Sequence, residues 1–257
     1  MNIFVLLKRT FDTEEKITLT NGAIDEEGVE FIINPYDEYA VEEAIQIRDA
    51  HGGEVTVVTV GGEESEKQLR TALAMGADKA VLINVEDDLE EADQFTAAKI
   101  LAEFLKDKEA DLILAGNVAI DGGSGQVGPR VAELLGIPYV TTITKIEIEG
   151  KQAKLVRDVE GDSEVIETSI PLLVTAQQGL NEPRYPSLPG IMKAKKKPLD
   201  ELELDDLDLE EEDVKPKTKT IEIFLPPKKE AGKVLEGELS DQVKQLVHLL
   251  HTEAKVV

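Results

Sequence analysis

The sequence predicts an α/β protein with a mostly parallel sheet flanked by helices, an antiparallel meander and an extended C-terminal arm. Three observations point there. Up to about residue 192, short β-branched runs alternate with segments of helical periodicity, the pattern of strands joined by crossover helices. Glycines recur where those strands end, at Gly61-Gly62, at Gly116 and through Gly122, Gly123, Gly125 and Gly128. Beyond residue 192 the composition changes abruptly: Lys193, Lys195, Lys196 and Lys197 form a basic knot, and residues 199–213 hold ten carboxylates in fifteen positions. The chain is therefore expected to divide into a core over 1–192 and an appendage over 193–257.

Residues 3–7 read as the first strand. Residues 16–24 and 30–33 read as extended pieces, the former turning at Asn21-Gly22, a dipeptide suited to a tight hairpin. Asn34-Pro35 opens a helix, since Asn can cap free N–H groups and Pro is tolerated in a first turn. Its apolar face is Ala40, Val41, Ala44, Ile45 and Ile47, and Gly52-Gly53 ends it. Residues 55–60 and 63–75 repeat strand and helix, closed by Gly76; residues 79–83, 93–106 and 112–115 continue the alternation. Right-handed crossovers make such strands parallel. Residues 145–148, 153–159 and 165–169 instead alternate polar and apolar, with Gly150 and Gly161 in the turns of a meander. Residues 172–175 return to the core. Residues 199–213 are expected to be an exposed tether, because so many carboxylates resist burial. Past it, 220–225 is a short strand-like run, and Ser240 is placed to cap a helix running to about His251. That helix puts Leu239, Val243, Leu246, Val247 and Leu250 on one stripe, which needs a surface to cover it.

Composition excludes several classes of function. With 28 Lys plus Arg against 53 Asp plus Glu, the formal net charge is −25, so no nucleic-acid partner is expected. There is no cysteine, hence no disulfide, thiolate metal site or Cys nucleophile. Uncharged apolar runs are only strand-length, far short of the roughly 20 residues that span a bilayer. The N-terminus starts directly on a strand and lacks a signal-peptide apolar region, so a cytoplasmic location without a membrane span is expected.

Ligands of parallel sheets bind beyond the carboxyl ends of the strands. Three loops qualify there: Lys8-Arg9, Gly61-Gly62 and residues 116–128. The third carries five glycines before a helix ending near Leu135, and Gly123, Gly125 and Gly128 spell G-x-G-x-x-G. Backbone N–H groups in such a turn can cradle phosphate. The glycines start several residues after the strand and late in the chain, unlike a dinucleotide fingerprint, so phosphate nest and ligand-free turn both fit. His51 reads as a helix-end capping residue, and His248 with His251 lack a third ligand at metal spacing. No nucleophile elbow, Walker sequence or catalytic acid–base pair is present, so any redox chemistry belongs to a bound cofactor.

Residues 181–198 read Asn-Glu-Pro-Arg-Tyr-Pro-Ser-Leu-Pro-Gly-Ile-Met-Lys-Ala-Lys-Lys-Lys-Pro. Physically this is an exposed loop stiffened by prolines, with Leu188 and Ile191 as apolar points beside cations. It also resembles the signature of the β subunits of electron-transfer flavoproteins. Further agreement lies in Val5 to Arg9, Asn34-Pro35 with Val41-Glu42-Glu43-Ala44, Arg70 to Asp78, and Ala119-Ile120-Asp121.

The resemblance covers residues 1 to about 198 and implies an adenine nucleotide α-hydrolase-like core. It also implies a heterodimer with an α subunit that carries most of an FAD site, and AMP held by the β subunit. By position, the AMP site would be Leu6, Asn34, Pro35, Tyr36, Asp37, Val60 and the loop Ala119, Ile120, Asp121, Gly122, Gly123, Ser124, Gly125, Gln126, Val127 and Gly128. Residues 181–192 would be the recognition loop, with Leu188 anchoring on acyl-CoA and related dehydrogenases. Ile191, Lys193 and Lys196 would assist; Asp158 would contact the mobile flavin domain; the C-terminal arm would embrace the partner. Electrons would pass by FAD to a quinone-reducing oxidoreductase, as in fatty acid β-oxidation. Alternatives are an NADH-using bifurcating relative with a second FAD in place of AMP, and a universal-stress-type nucleotide sensor. Lys193 to Lys197 read either as a solvated cluster or, on the resemblance, as steering charges for acidic partners.

Overall fold

The computed structural model describes residues 1–85, 92–229 and 231–256. Two compact units emerge: residues 1–17 with 26–221, and residues 18–25 with 222–257. In chain order, β1 (Asn2–Leu6), β2 (Arg9–Phe11), β3 (Leu19–Thr20), β4 (Ala23–Ile24) and β5 (Phe31–Ile33) precede α1 (Pro35–His51). Then come β6 (Glu54–Gly61), α2 (Glu66–Met75), β7 (Lys79–Asn84), α3 (Gln94–Leu105), β8 (Leu112–Gly116) and α4 (Val127–Leu135). Next are β9 (Tyr139–Glu149), β10 (Gln152–Val159), β11 (Asp162–Ser169), β12 (Leu172–Ala176), α5 (Leu188–Ala194), β13 (Leu199–Leu202) and α6 (Glu211–Val214).

Nine strands form one sheet in the order β11-β10-β9-β12-β8-β1-β6-β7-β13. From β12 to β13 every neighbouring pair is parallel, whereas β9, β10 and β11 make the antiparallel meander. The parallel strands are buried on both faces, so successive residues go to opposite cores. Ile3, Val5, Val55, Val57, Leu112 and Leu114 pack with Ala40, Val41, Ala44 and Ile45 of α1 and Leu69 and Leu73 of α2. Phe4, Leu6, Val58, Ile83 and Ile113 pack on the other side with Ile100, Leu101 and Phe104 of α3 and Val131 of α4. Each such fully buried aliphatic side chain contributes about 1.5–3 kcal/mol. The period-two burial therefore accounts both for the strands and for helices on both sides.

The chain runs outward from β1 through β6 to β7, then returns to place β8 on the other side of β1. That reversal opens a crevice beyond the carboxyl ends of β1 and β8, the place where such sheets take ligands.

Expectations for four segments up to residue 225 need correction. Residues 199–213 are not a free tether: β13 pairs in parallel with β7, and Leu204, Leu209 and Val214 are buried. The carboxylates hid a second pattern, with Leu199 and Leu202 facing inward while Asp200 and Glu201 stay in solvent and blunt the sheet edge. The 181–198 segment is not loop throughout, since Ser187 caps α5 by accepting from the Gly190 N–H at 3.1 Å. The first meander strand begins at Tyr139, because its first half pairs with β12 before the rest pairs with β10. Residues 220–225 form no strand; Ile221 and Phe224 are exposed and meet no neighbouring strand among the described residues.

In the second unit, β3 and β4 pair across Asn21-Gly22, both at positive φ as a tight hairpin turn requires. Its helix, α7 (Leu239–Leu249), continues into a π-type turn over Leu250–Ala254. Glu238, rather than Ser240, occupies the cap position, and Leu239, Val243, Leu246 and Val247 are all exposed.

Candidate functional site: the crevice and the segment docked on α1

Three elements converge at the crevice. Asp37, in the first turn of α1, is buried between the two central strands. Its Oδ2 accepts from the Lys8 N–H at 2.7 Å, just past β1, and its Oδ1 from the Gly116 N–H at 2.9 Å, at the end of β8. Asn34 Nδ2 adds a third donor at 3.0 Å. Burial pushes the Asp37 carboxyl up to about 7, although all three donors favour its charged form.

Asn34 does not cap α1 with its side chain, contrary to expectation. Its Nδ2 donates to the Val118 carbonyl at 2.9 Å, and its Oδ1 accepts from the Ile120 N–H at 3.2 Å. It thereby ties the helix start to the loop after β8. Lys8 Nζ holds the same loop through Asp121 at 2.7 Å, and the Asp121 carboxylate accepts from the Gly122 N–H. Leu6 is buried at the end of β1, and Val60 is half-buried near the end of β6.

Beyond Asp121 the glycines set the geometry. Gly123 and Gly125 adopt φ of 64° and 59°, the left-handed region that a β-branched residue enters only with strain. Among the described residues, the N–H groups of Ser124, Gly125, Gln126 and Val127 find no hydrogen-bond acceptor. Gln126 occupies the cap position of α4 without capping it. A run of free donors at a helix start beside the crevice is the geometry of an anion cradle.

The Asn-Glu-Pro-Arg segment meets α1 one to two turns further along. Arg184 Nε donates to Glu42 Oε2 at 2.7 Å and its Nη2 to Oε1 at 2.9 Å. Asn181 Nδ2 donates to Glu43 Oε2 and to the Tyr39 carbonyl. Burial alone would raise Glu42, but the Arg184 guanidinium holds its carboxyl below the ordinary range; burial raises Glu43, against the Asn181 contact. Sequence reasoning noted both motifs without pairing them. The cue was a pair of adjacent carboxylates at Glu42 and Glu43 on the buried side of a helix, which demands partners elsewhere.

Downstream, α5 presents Leu188 and Met192, 81% and 67% exposed, with Ile191 beside them. Lys193 and Lys196 are exposed as expected. Lys197 is not part of that exposed cluster, since its Nζ donates to the Leu73 and Ala77 carbonyls. Asp158 is exposed on β10; its carbonyl accepts from Thr142 Oγ1, whose backbone N–H donates to Thr175 Oγ1 near the end of β12.

A residue the sequence did not single out is Asp93. It caps α3 through the Phe95 and Thr96 N–H groups and also accepts from the Lys217 and Thr218 N–H groups and Thr218 Oγ1. Partial burial would raise its carboxyl, but these donors hold it well below the usual carboxylate range.

A parallel sheet covered on both faces, with a crevice at its switch point and an exposed apolar helix on a pinned stalk, defines an α/β protein of the doubly wound class. Comparison with known proteins narrows that class. The electron transfer flavoprotein domain family matches residues 21–207. The chain is 71% identical over 257 residues to the electron transfer flavoprotein subunit beta of Bacillus subtilis (strain 168), covering 100% of both chains. It is 42% identical to that of Syntrophomonas wolfei, covering 100% of this chain and 98% of the other. It is also 40% identical to the caffeyl-CoA reductase–Etf complex subunit CarD of Acetobacterium woodii, with 95% of each chain covered. The chain belongs to the electron transfer flavoprotein family, among its β subunits. It is therefore an electron-carrier subunit, paired with an α subunit, and the universal-stress-type alternative falls away. No helix among the described residues is long and apolar enough to cross a membrane.

Proposed function

We propose that this β subunit holds AMP in the crevice, while the α subunit carries FAD at the subunit interface. The free N–H run of Ser124 to Val127 supports the reading, since four consecutive donors at a helix start suit a phosphate and no acceptor among the described residues takes them. Leu6 and Val60 offer apolar surface at the strand ends, and the Asn34 to Asp37 turn fixes the crevice wall. Ala119, Ile120 and Asp121 set the path of the loop, and Gly122 and Gly123 leave its outer side open. FAD supplies the redox chemistry of the heterodimer when bound. This chain's part is to bind, to brace the partner and to dock donors. Electrons come from dehydrogenases, acyl-CoA dehydrogenases among them, and leave towards a quinone-reducing oxidoreductase in the cytoplasmic route of fatty acid β-oxidation. Leu188 with Ile191 anchors the donor, Lys193 and Lys196 steer it, and Asp158 faces the flavin-bearing domain.

A second reading places another flavin in the crevice, as a bifurcating carrier would require. The open space around Gly122 and Gly123, where an added Cβ meets nothing within 4 Å, favours it. Gly125→Val tests the site in either case. Valine at a φ of 59°, with its Cβ 3.2 Å from the Asn117 carbonyl oxygen, would displace the cradle. The expected outcome is a heterodimer that purifies with substoichiometric β-bound nucleotide, since losing a cradle donor set of about 1.5 kcal/mol or more weakens binding about tenfold. Full nucleotide content by mass spectrometry would contradict the assignment.

A further inference from the structure

A cleft of about 420 Å³ opens where α2 meets α5, lined by Lys67, Arg70 and Thr71 on α2 and by Pro186, Ile191 and Lys195 along the docking segment. Among the described residues no carboxylate lines it, although Glu30 and Glu66 pair with Lys67 and Arg70 from outside. That is a local inversion of charge in a chain with a formal net charge of −25.

The cations differ in how they are held. Arg70 is fixed in place, donating to the Ala194 and Lys197 carbonyls at 3.1 Å each and pairing with Glu66 at 3.0 Å. Lys67 is loosely paired with Glu30 at 3.6 Å, both side chains mostly in solvent. Lys195, just beyond α5, is exposed and makes no ion pair among the described residues. The floor is rigid. Gly190 lies so close to α2 that an added Cβ would come 2.5 Å from the Ala74 carbonyl oxygen, so α5 is seated directly on that helix.

The same short helix bears the exposed Leu188 and Met192, and the cleft-lining Ile191 is itself 42% exposed. Leu188 and the cleft-lining Ile191 are three residues apart on α5, so a protein that covers Leu188 comes within reach of the cleft. We propose that the α2–α5 cleft receives a carboxylate side chain of the docking dehydrogenase, Asp or Glu, between Lys67, Arg70 and Lys195. Docking is then reciprocal. Leu188 enters the donor protein, and an acidic residue of the donor enters this one, which fixes rotation about the Leu188 anchor. A single apolar knob leaves that rotation free, whereas a second, oppositely placed charge contact sets it and suppresses wrong partners.

This inference rests on the docking role of α5 set out above, so its test carries a control for that role. The intact heterodimer bearing Lys67→Glu with Lys195→Glu is compared with Leu188→Ala and the unsubstituted protein as electron acceptor for an acyl-CoA dehydrogenase, at low and high salt. The double charge reversal is expected to raise the KM for the carrier about tenfold at low salt, to flatten the salt dependence, and to leave flavin content unchanged. A rise in KM with Leu188→Ala but none with the charge reversals would overturn the cleft assignment alone. Loss of flavin or of the α subunit in the charge-reversed protein would also overturn it, by placing the occupant in the heterodimer interface. If Leu188→Ala leaves KM unchanged, the docking role of that residue fails, while a rise with the lysine variants would still support the cleft.

Discussion

Asp37 is the residue on which the crevice turns, since one carboxylate takes the first free N–H beyond β1, the last of β8 and the side chain of Asn34. Its carboxyl is raised to about 7, so the folded chain keeps a proton that the unfolded chain has already released. The sign follows directly: this group favours folding most below its ordinary range, and that contribution fades as pH rises through about 7. Asp37→Asn removes the titration. It also puts an amide donor among donors, so the variant is less stable at low pH. Thermal melts of both proteins between about pH 5 and pH 8 are expected to show the gap in Tm narrowing towards the alkaline end. Parallel pH dependences would mean that Asp37 stays ionised throughout. None of this was legible beforehand. Asn34 was assigned to capping from its place before Pro35, and only the packing shows its side chain spent on Val118 and Ile120 instead.

At the scale of elements, the strands and helices of the parallel core were legible because periodicity reports burial, and these strands are buried on both faces. The segment after residue 198 was misread because composition was weighed above pattern. Ten carboxylates argued for a tether, while Leu199 packs on one core and Leu202, Leu204 and Leu209 on the other, seating an edge strand and its turn. The pairing of Glu42 with Arg184 was beyond sequence reasoning, since it joins residues 142 positions apart. That pair predicts a local effect. Glu42→Ala leaves the guanidinium of Arg184 without its bidentate partner and frees the stalk of α5, at a cost of about 1–3 kcal/mol. Trypsin is expected to cut after Arg184 about tenfold faster in the variant, with the crevice nucleotide retained. Unchanged protection would show that Asn181 and the α2–α5 contact suffice to hold the segment.

Across the whole molecule, the proposed nucleotide crevice and the exposed stripe of α7 are separable in sequence. Every proposed crevice residue lies in residues 1–17 or 26–221, whereas the second unit, 18–25 with 222–257, contributes none. That unit instead carries α7 with its exposed apolar stripe of Leu239, Val243, Leu246 and Val247. Such a stripe on a β subunit is the surface we propose for the α subunit. Within the first unit, Asp93 holds Lys217 and Thr218 at the start of α3. On the function proposed above, nucleotide belongs to the core and flavin retention to the arm. Deleting residues 222–257, co-expressing the chain with its α subunit, and weighing the released cofactors by mass spectrometry tests it directly. The expected outcome is a folded β chain that keeps about one AMP while heterodimer yield and FAD fall together. A truncated chain that still purifies with the α subunit and full FAD, or one that loses AMP while keeping FAD, would contradict it.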